Sequence, residues 1–232
     1  MLLKEKKGLR YLEFELLQDY PQIRHGVFLK DTRGAHCLEF QKKVKECFEA
    51  KALIFGLQTH EDSILEIVDF TQQIHQSSDG IYTTVKEVAL GVYHADCQAV
   101  LIFDPITQTI ANIHCGWRGN HHNILKKAVK TLEHSKGSNP KDLLVCISPS
   151  LGPDRSEFLD YEKTWPSHLH SFLYKPYHFN LWKMSEDQLI KAGVDKAHIE
   201  IAGLCTHTHI DDFHSYRRDK TKLRNATIIS LY

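Results

Sequence analysis

The chain has 232 residues, with 29 Lys and Arg balanced by 29 Asp and Glu, 42% hydrophobic and 25% charged residues. This is the balance of a globular protein, and zero formal charge excludes the global basic field that attracts nucleic acid or an anionic membrane. No run approaches the roughly 20 apolar residues of a membrane span, and Lys4, Glu5, Lys6 and Lys7 interrupt the start before an export signal can form.

These features predict one cytoplasmic domain over residues 1–232, acting on a small molecule, with neither nucleic acid nor membrane as partner. Six unevenly spaced cysteines read as free thiols or ligands in a reducing compartment. Sixteen histidines justify a search for metal ligands.

In chain order, alternation through Tyr11, Phe14 and Leu16 predicts a strand. Phe40, Val44, Cys47 and Phe48 then predict a helix over about 40–50 with one apolar face. Leu53 to Phe55 and Ile64 to Val68 read as strands flanking Gln58-Thr59-His60. The centre has three β-rich runs, Val88 to Tyr93, Gln98 to Phe103 and Thr109 to His114, expected as neighbours in one sheet. Gly116-Trp117-Arg118-Gly119 is expected as a turn, followed by a helix over about 123–133. Leu143 to Ile147 predicts another strand, and Ser185-Glu186-Asp187-Gln188 resembles a capping box opening a helix that stops near Gly193. Ile199 to Ala202 and Thr227 to Leu231 close the chain as strands. Many strands and several helices without strict alternation imply an α+β fold with mixed sheets.

Three potential ligands fall at the ends of central strands: His60, Cys97 and His114. Two imidazoles and a thiolate suit Zn²⁺, and a catalytic zinc keeps a fourth position for water or substrate. Their spacing matches no compact zinc-finger pattern, so the residues alone leave open a buried cysteine with two satisfied histidines. Cys205, His207 and His209 form a rival cluster if the segment is extended.

Gln58-Thr59-His60, Asp79-Gly80, Ala95-Asp96-Cys97, Asp104-Pro105, His114-Cys115-Gly116-Trp117-Arg118-Gly119, Cys205-Thr206 and Ser215-Tyr216-Arg217-Arg218-Asp219 occur in order. Together they resemble the laccase-domain family, first described as multicopper polyphenol oxidases and later as zinc-dependent purine nucleoside phosphorylases. The resemblance implies a four-layer α/β/β/α sandwich and assigns the metal and catalytic centre to His60, Cys97 and His114; a monomer or homodimer is expected. It implies phosphorolysis of adenosine, inosine and methylthioadenosine to base and sugar 1-phosphate, and deamination of adenosine.

Purine nucleosides and phosphate would then be the partners, and Zn²⁺ the cofactor, with copper as the alternative metal. Arg118 is the first candidate to bind substrate or phosphate, because its glycine-bearing segment opens a helix. Arg33 is the second, since Thr32-Arg33-Gly34 resembles the family's N-terminal Ser-Thr-Arg-Gly-Gly motif, although Ala35 replaces its last glycine. Arg217 and Arg218 read equally as substrate contacts or as members of an ion network with Asp219. Asp96 is expected either to orient a ligand or to accept backbone hydrogen bonds. Cys115 is expected to point away from His114. Two further readings are a metal-free hydrolase, with Cys97 as nucleophile and His114 as base, and a copper polyphenol oxidase.

Overall fold

The computed structural model describes residues 1–31 and 33–232. Strands β1 (Leu2–Lys6), β2 (Leu9–Glu13) and β3 (Ile23–Phe28) are antiparallel neighbours. Lys7 and Gly8 both take positive φ, the conformation that a two-residue hairpin turn requires. β2 ends before Phe14 and Leu16, which were expected to continue it. The Phe14 N–H instead donates to Nε2 of buried His25 at 2.8 Å, leaving the strand ladder.

Helix α1 (Leu38–Phe48) buries Phe40, Val44, Cys47 and Phe48, the predicted face, and ends where Glu49 turns left-handed at φ 52°. Then follow β4 (Ala52–Phe55), β5 (Ile64–Glu66), β6 (Gly80–Thr83), β7 (Val88–His94), β8 (Gln98–Asp104) and β9 (Thr109–Cys115). Gly116 to Gly119 is not an open turn: Gly116 caps a short helix, α2 (Trp117–His121), which leads into α3 (Ile124–Lys136) and β10 (Leu144–Ile147). The remaining elements are α4 (Tyr161–Thr164), β11 (Leu173–Lys175), β12 (His178–Phe179), α5 (Leu181–Lys191), β13 (Ile199–Ile201), α6 (Tyr216–Asp219) and β14 (Asn225–Leu231).

α5 starts earlier than its expected capping box. Asn180 caps it by accepting the Lys183 N–H at 3.0 Å, while Ser185 lies buried inside the helix and donates to the Gln98 side chain. The Ser-to-Gln pattern is therefore an internal helical face that mimics a start signal.

Two six-stranded mixed sheets form the centre, in the orders β1-β2-β3-β14-β7-β4 and β13-β10-β8-β9-β6-β5. β8 and β9 pair as expected, but β7 belongs to the other sheet, between β14 and β4. All three runs are almost wholly buried on both faces, so their hydrophobicity carried no information about which sheet each joins.

Alternation then sets the layers. Leu101 and Phe103 meet Leu90, Ile229 and Leu231 between the sheets. Val100 and Ile102, one residue out of phase, pack against Leu125, Val129 and Leu132 of α3 and Leu189 of α5. On the opposite side, Ala226 and Ile228 of β14 pack against Phe40 and Val44 of α1. The result is the expected α/β/β/α arrangement. No helix among the described residues is long and apolar enough to cross a membrane.

Candidate metal centre

His60, Cys97 and His114 converge, with their potential ligand atoms all within 4.8 Å of one another. His114 lies near the end of β9 and pairs with Ala99 of β8; Cys97, two residues before Ala99, falls on the same face by strand alternation. His60 arrives from the segment between β4 and β5. His114 is buried, Cys97 half-buried and His60 exposed, so the cluster closes on the sheet side and opens outward.

Asp79 organises two of the three groups. Its carboxylate accepts the backbone N–H groups of Thr59, His60 and Glu61 at 3.0, 2.9 and 3.0 Å. These bonds hold His60 in a left-handed conformation at φ 64°, a region that non-glycine residues adopt uncommonly. His114 Nδ1 lies 2.7 Å from Asp79 Oδ1 and donates to it, leaving Nε2 as the ring nitrogen free for a ligand.

The charges reinforce one another. Burial resists ionisation of Asp79, but His114 and the backbone donors lower its pKa to about 2. Burial likewise resists a Cys97 thiolate, yet His114 and His60 outweigh it and draw the thiol's pKa down. Burial disfavours an imidazolium at His114, but Cys97 and Asp79 raise its pKa. A thiolate and two imidazoles, one anchored through its second nitrogen to a carboxylate, fit a three-residue zinc site with an open position. The backbone makes room for it, because a Cβ on Gly116 would lie 2.8 Å from Cys97 Sγ.

The cluster lies on a cavity of about 1180 Å³. Trp117, Phe158 and Leu181 form part of its wall, and Trp117 lies parallel to Trp165 behind it, at 6.1 Å between centroids and 9° between planes. Arg118 lines the mouth with its guanidinium 4.4 Å above the Trp117 ring, so it combines the expected cavity position with aromatic stacking.

Arg33 is not among the lining residues: it pairs with Asp31 and Glu39 at 3.3 and 2.5 Å on the surface. Thr32 of the same motif lies outside the described residues. Arg217 lines the cavity and bonds to the Glu157 carbonyl, whereas Arg218 pairs with Asp219 and three backbone carbonyls. Asp96 lines the cavity and accepts the Arg217 N–H and the hydroxyls of Thr206 and Ser215.

Cys115 is buried against α3, on the side away from His114. Cys205, His207 and His209 occupy a turn, with His209 N–H bonded to the Cys205 carbonyl. Among the described residues, only His60, Cys97 and His114 form a group able to hold a metal. Sequence reasoning assigned no role to Asp79, although the Asp-Gly pair was part of the resemblance. It also missed His36, His94 and Arg224, which reach the cavity from segments far apart in the chain.

Comparison with known proteins places the chain in a family and supports the fold. A family model described as multi-copper polyphenol oxidoreductase laccase matches residues 22–232. A purine nucleoside phosphorylase of Bacteroides thetaiotaomicron is 29% identical over 254 residues, covering 91% of this chain and 92% of that protein. Purine nucleoside phosphorylase YlmD of Bacillus subtilis is 27% identical over 223 residues, covering 88% and 79% respectively. Among solved structures, the hypothetical protein YfiH of Bacillus licheniformis has a TM-score of 0.84 at 22% identity over 99% of both chains. YlmD of Geobacillus stearothermophilus has a TM-score of 0.83 at 22% identity, over 98% of this chain and 97% of that one. At these identities the structural likeness is one of fold.

Proposed function

The chain belongs to the multi-copper polyphenol oxidoreductase laccase family, and on that premise we propose that it is a zinc-dependent purine nucleoside phosphorylase. Its substrates are adenosine, inosine and methylthioadenosine, and a second activity deaminates adenosine to inosine. The observation that carries the proposal is the meeting, in one cavity, of the His60, Cys97 and His114 donors with aromatic faces and arginines. Relatives named purine nucleoside phosphorylase, alignable over most of their length, support the reaction class.

In phosphorolysis a phosphate oxygen bonds to the anomeric carbon as the glycosidic bond breaks, and its electron pair leaves with the base, which takes up a proton. Such a reaction depends on positioning and on stabilising charge. Trp117 and Phe158 offer apolar faces for a purine, and Arg118 supplies a cation to the bound substrates. Asp79 keeps the His114 proton at Nδ1 and the His60 segment in place. Bound at His60, Cys97 and His114, zinc would supply Lewis acidity and lower the pKa of a coordinated water toward about 7. The test is chromatography of the three nucleosides with and without phosphate. Free base formed only with phosphate establishes phosphorolysis, inosine formed from adenosine without phosphate establishes deamination, and neither product refutes the proposal.

One observation favours a second reading. Cys97, His114 and Asp79 stand in the order nucleophile, base and orienting acid, which a metal-free hydrolase also needs. Metal analysis separates the two. About one zinc per chain, lost in both His60→Ala and Cys97→Ala, supports the metal centre; full activity in metal-free protein supports the hydrolase, and copper in its place would support oxidase chemistry.

A further inference from the structure

The sequence offers Arg33 as a phosphate ligand, but that side chain is committed to Asp31 and Glu39. Its segment nevertheless leads to another arginine. The Ala35 N–H donates to the Arg224 carbonyl at 3.0 Å, and Gly34 packs against Leu223, so residues 34–36 run beside Arg224. Arg224 and His36 both line the cavity that contains the metal cluster.

Arg224 is half-buried, and no carboxylate among the described residues pairs with it. One terminal nitrogen, Nη1, donates to the carbonyls of Thr221 and Leu223, both at 2.9 Å, which fixes the plane of the guanidinium. Nε and Nη2 have no acceptor among the described residues and form an open fork. A held fork with two free donors suits bidentate binding of a phosphate oxyanion.

His94 supplies an independent observation. It is 1% exposed, also lines the cavity, and has Nε2 2.8 Å from the Thr227 hydroxyl, while its buried Nδ1 has no partner. A buried polar atom without a partner is costly unless a ligand or water satisfies it. His36 completes the group at the mouth, its ring 3.9 Å from that of Tyr93.

Resting on the phosphorylase reading above, the geometry points to Arg224, flanked by His36 and His94, as the docking site of inorganic phosphate. Arg118 is left on the Trp117 side, where the base stacks. On this assignment a residue just before β14, rather than Arg33 of the N-terminal motif, holds the phosphate.

The experiment measures the KM for phosphate in inosine phosphorolysis by the metal-loaded protein, together with calorimetric titration of inorganic phosphate without nucleoside. A lost charge-assisted bidentate contact predicts that Arg224→Gln raises the phosphate KM about 10- to 100-fold, with nucleoside KM held within about twofold. Arg224→Lys should recover part of the loss, and Arg33→Gln should stay within about twofold of the parent. His36→Ala removes an exposed side chain and tests the site should Arg224→Gln not fold; it should raise phosphate KM about threefold.

Unchanged phosphate KM in Arg224→Gln and His36→Ala, or a large rise in Arg33→Gln, overturns the assignment. Calorimetry separates this inference from the reaction assigned above. Phosphate binding abolished by Arg224→Gln supports the site even if no nucleoside is cleaved, whereas no phosphate binding by the parent protein overturns it.

Discussion

Replacing Gly116 by alanine tests the metal centre with a single methyl group. The backbone at Gly116 has φ −84° and ψ −176°, which alanine adopts without strain, so the effect is steric rather than conformational. The added Cβ would lie 2.8 Å from Cys97 Sγ and 3.6 Å from His60 Cδ2. Ordinary heavy-atom contact is about 3.5–4.0 Å, so the sulfur must retreat by roughly 0.7–1.2 Å. Metal–ligand bonds tolerate only about 0.2 Å, and that retreat is several times larger. The fold should absorb the strain at a cost of about 1–3 kcal/mol, as for other overpacked sites. We expect Gly116→Ala to purify folded, to lose zinc affinity by at least about tenfold in chelator competition, and to lose nucleoside turnover in proportion. Parental zinc affinity together with parental turnover would refute the placement of Cys97 in the metal centre.

Asp79→Asn should weaken metal binding by about 10- to 100-fold, because an amide cannot present two acceptors to the Thr59, His60 and Glu61 N–H groups while also taking the His114 proton. Chelator titration equal to that of the parent would contradict this. Buried His25, whose Nε2 accepts the Phe14 N–H, has its pKa lowered to about 4 chiefly by burial. Its contribution is full above about pH 6.5 and is lost as pH falls toward 4, when the unfolded chain takes up a proton that the folded chain refuses; the gap corresponds to about 3 kcal/mol. Urea unfolding at pH 7 and 4.5 should therefore show a smaller loss for His25→Gln than for the parent, and equal losses would discount His25 as a source of acid sensitivity.

What the sequence revealed followed from periodicity. α1 and α3 were legible because their apolar stripes fit a 3.6-residue period, and the face predicted for α1 is the buried one. The partition of β7 from β8 and β9 was not, since strands buried on both faces carry no alternation that marks a sheet. The His60, Cys97 and His114 cluster was singled out by motif rather than by spacing, whereas the Asp79-Gly80 motif carried no role for Asp79, because that role depends on meeting His60 and His114 in space. Arg224 shows the same limit. It reaches the cavity with His36, 188 positions earlier in the chain (224 − 36), through contacts that only the folded sheets create.

His60 distinguishes the metal centre from the metal-free hydrolase. A thiol nucleophile needs Cys97, His114 and Asp79 but gives His60 no task, yet the fold holds His60 at φ 64° with an Asp79 hydrogen bond. Such a conformation costs of order 1 kcal/mol or more for an ordinary residue. His60→Asn is the discriminating change, because asparagine tolerates the left-handed region and keeps the backbone N–H that Asp79 accepts. Stability should remain within about 1 kcal/mol of the parent, so lost function cannot be ascribed to unfolding. A metal centre reduced to Cys97 and His114 should lose zinc and turnover together, whereas a Cys97–His114 hydrolase should keep its activity. Metal content and turnover of folded His60→Asn decide between them: retained activity without metal would sink the zinc assignment and leave the strained His60 backbone without a chemical purpose.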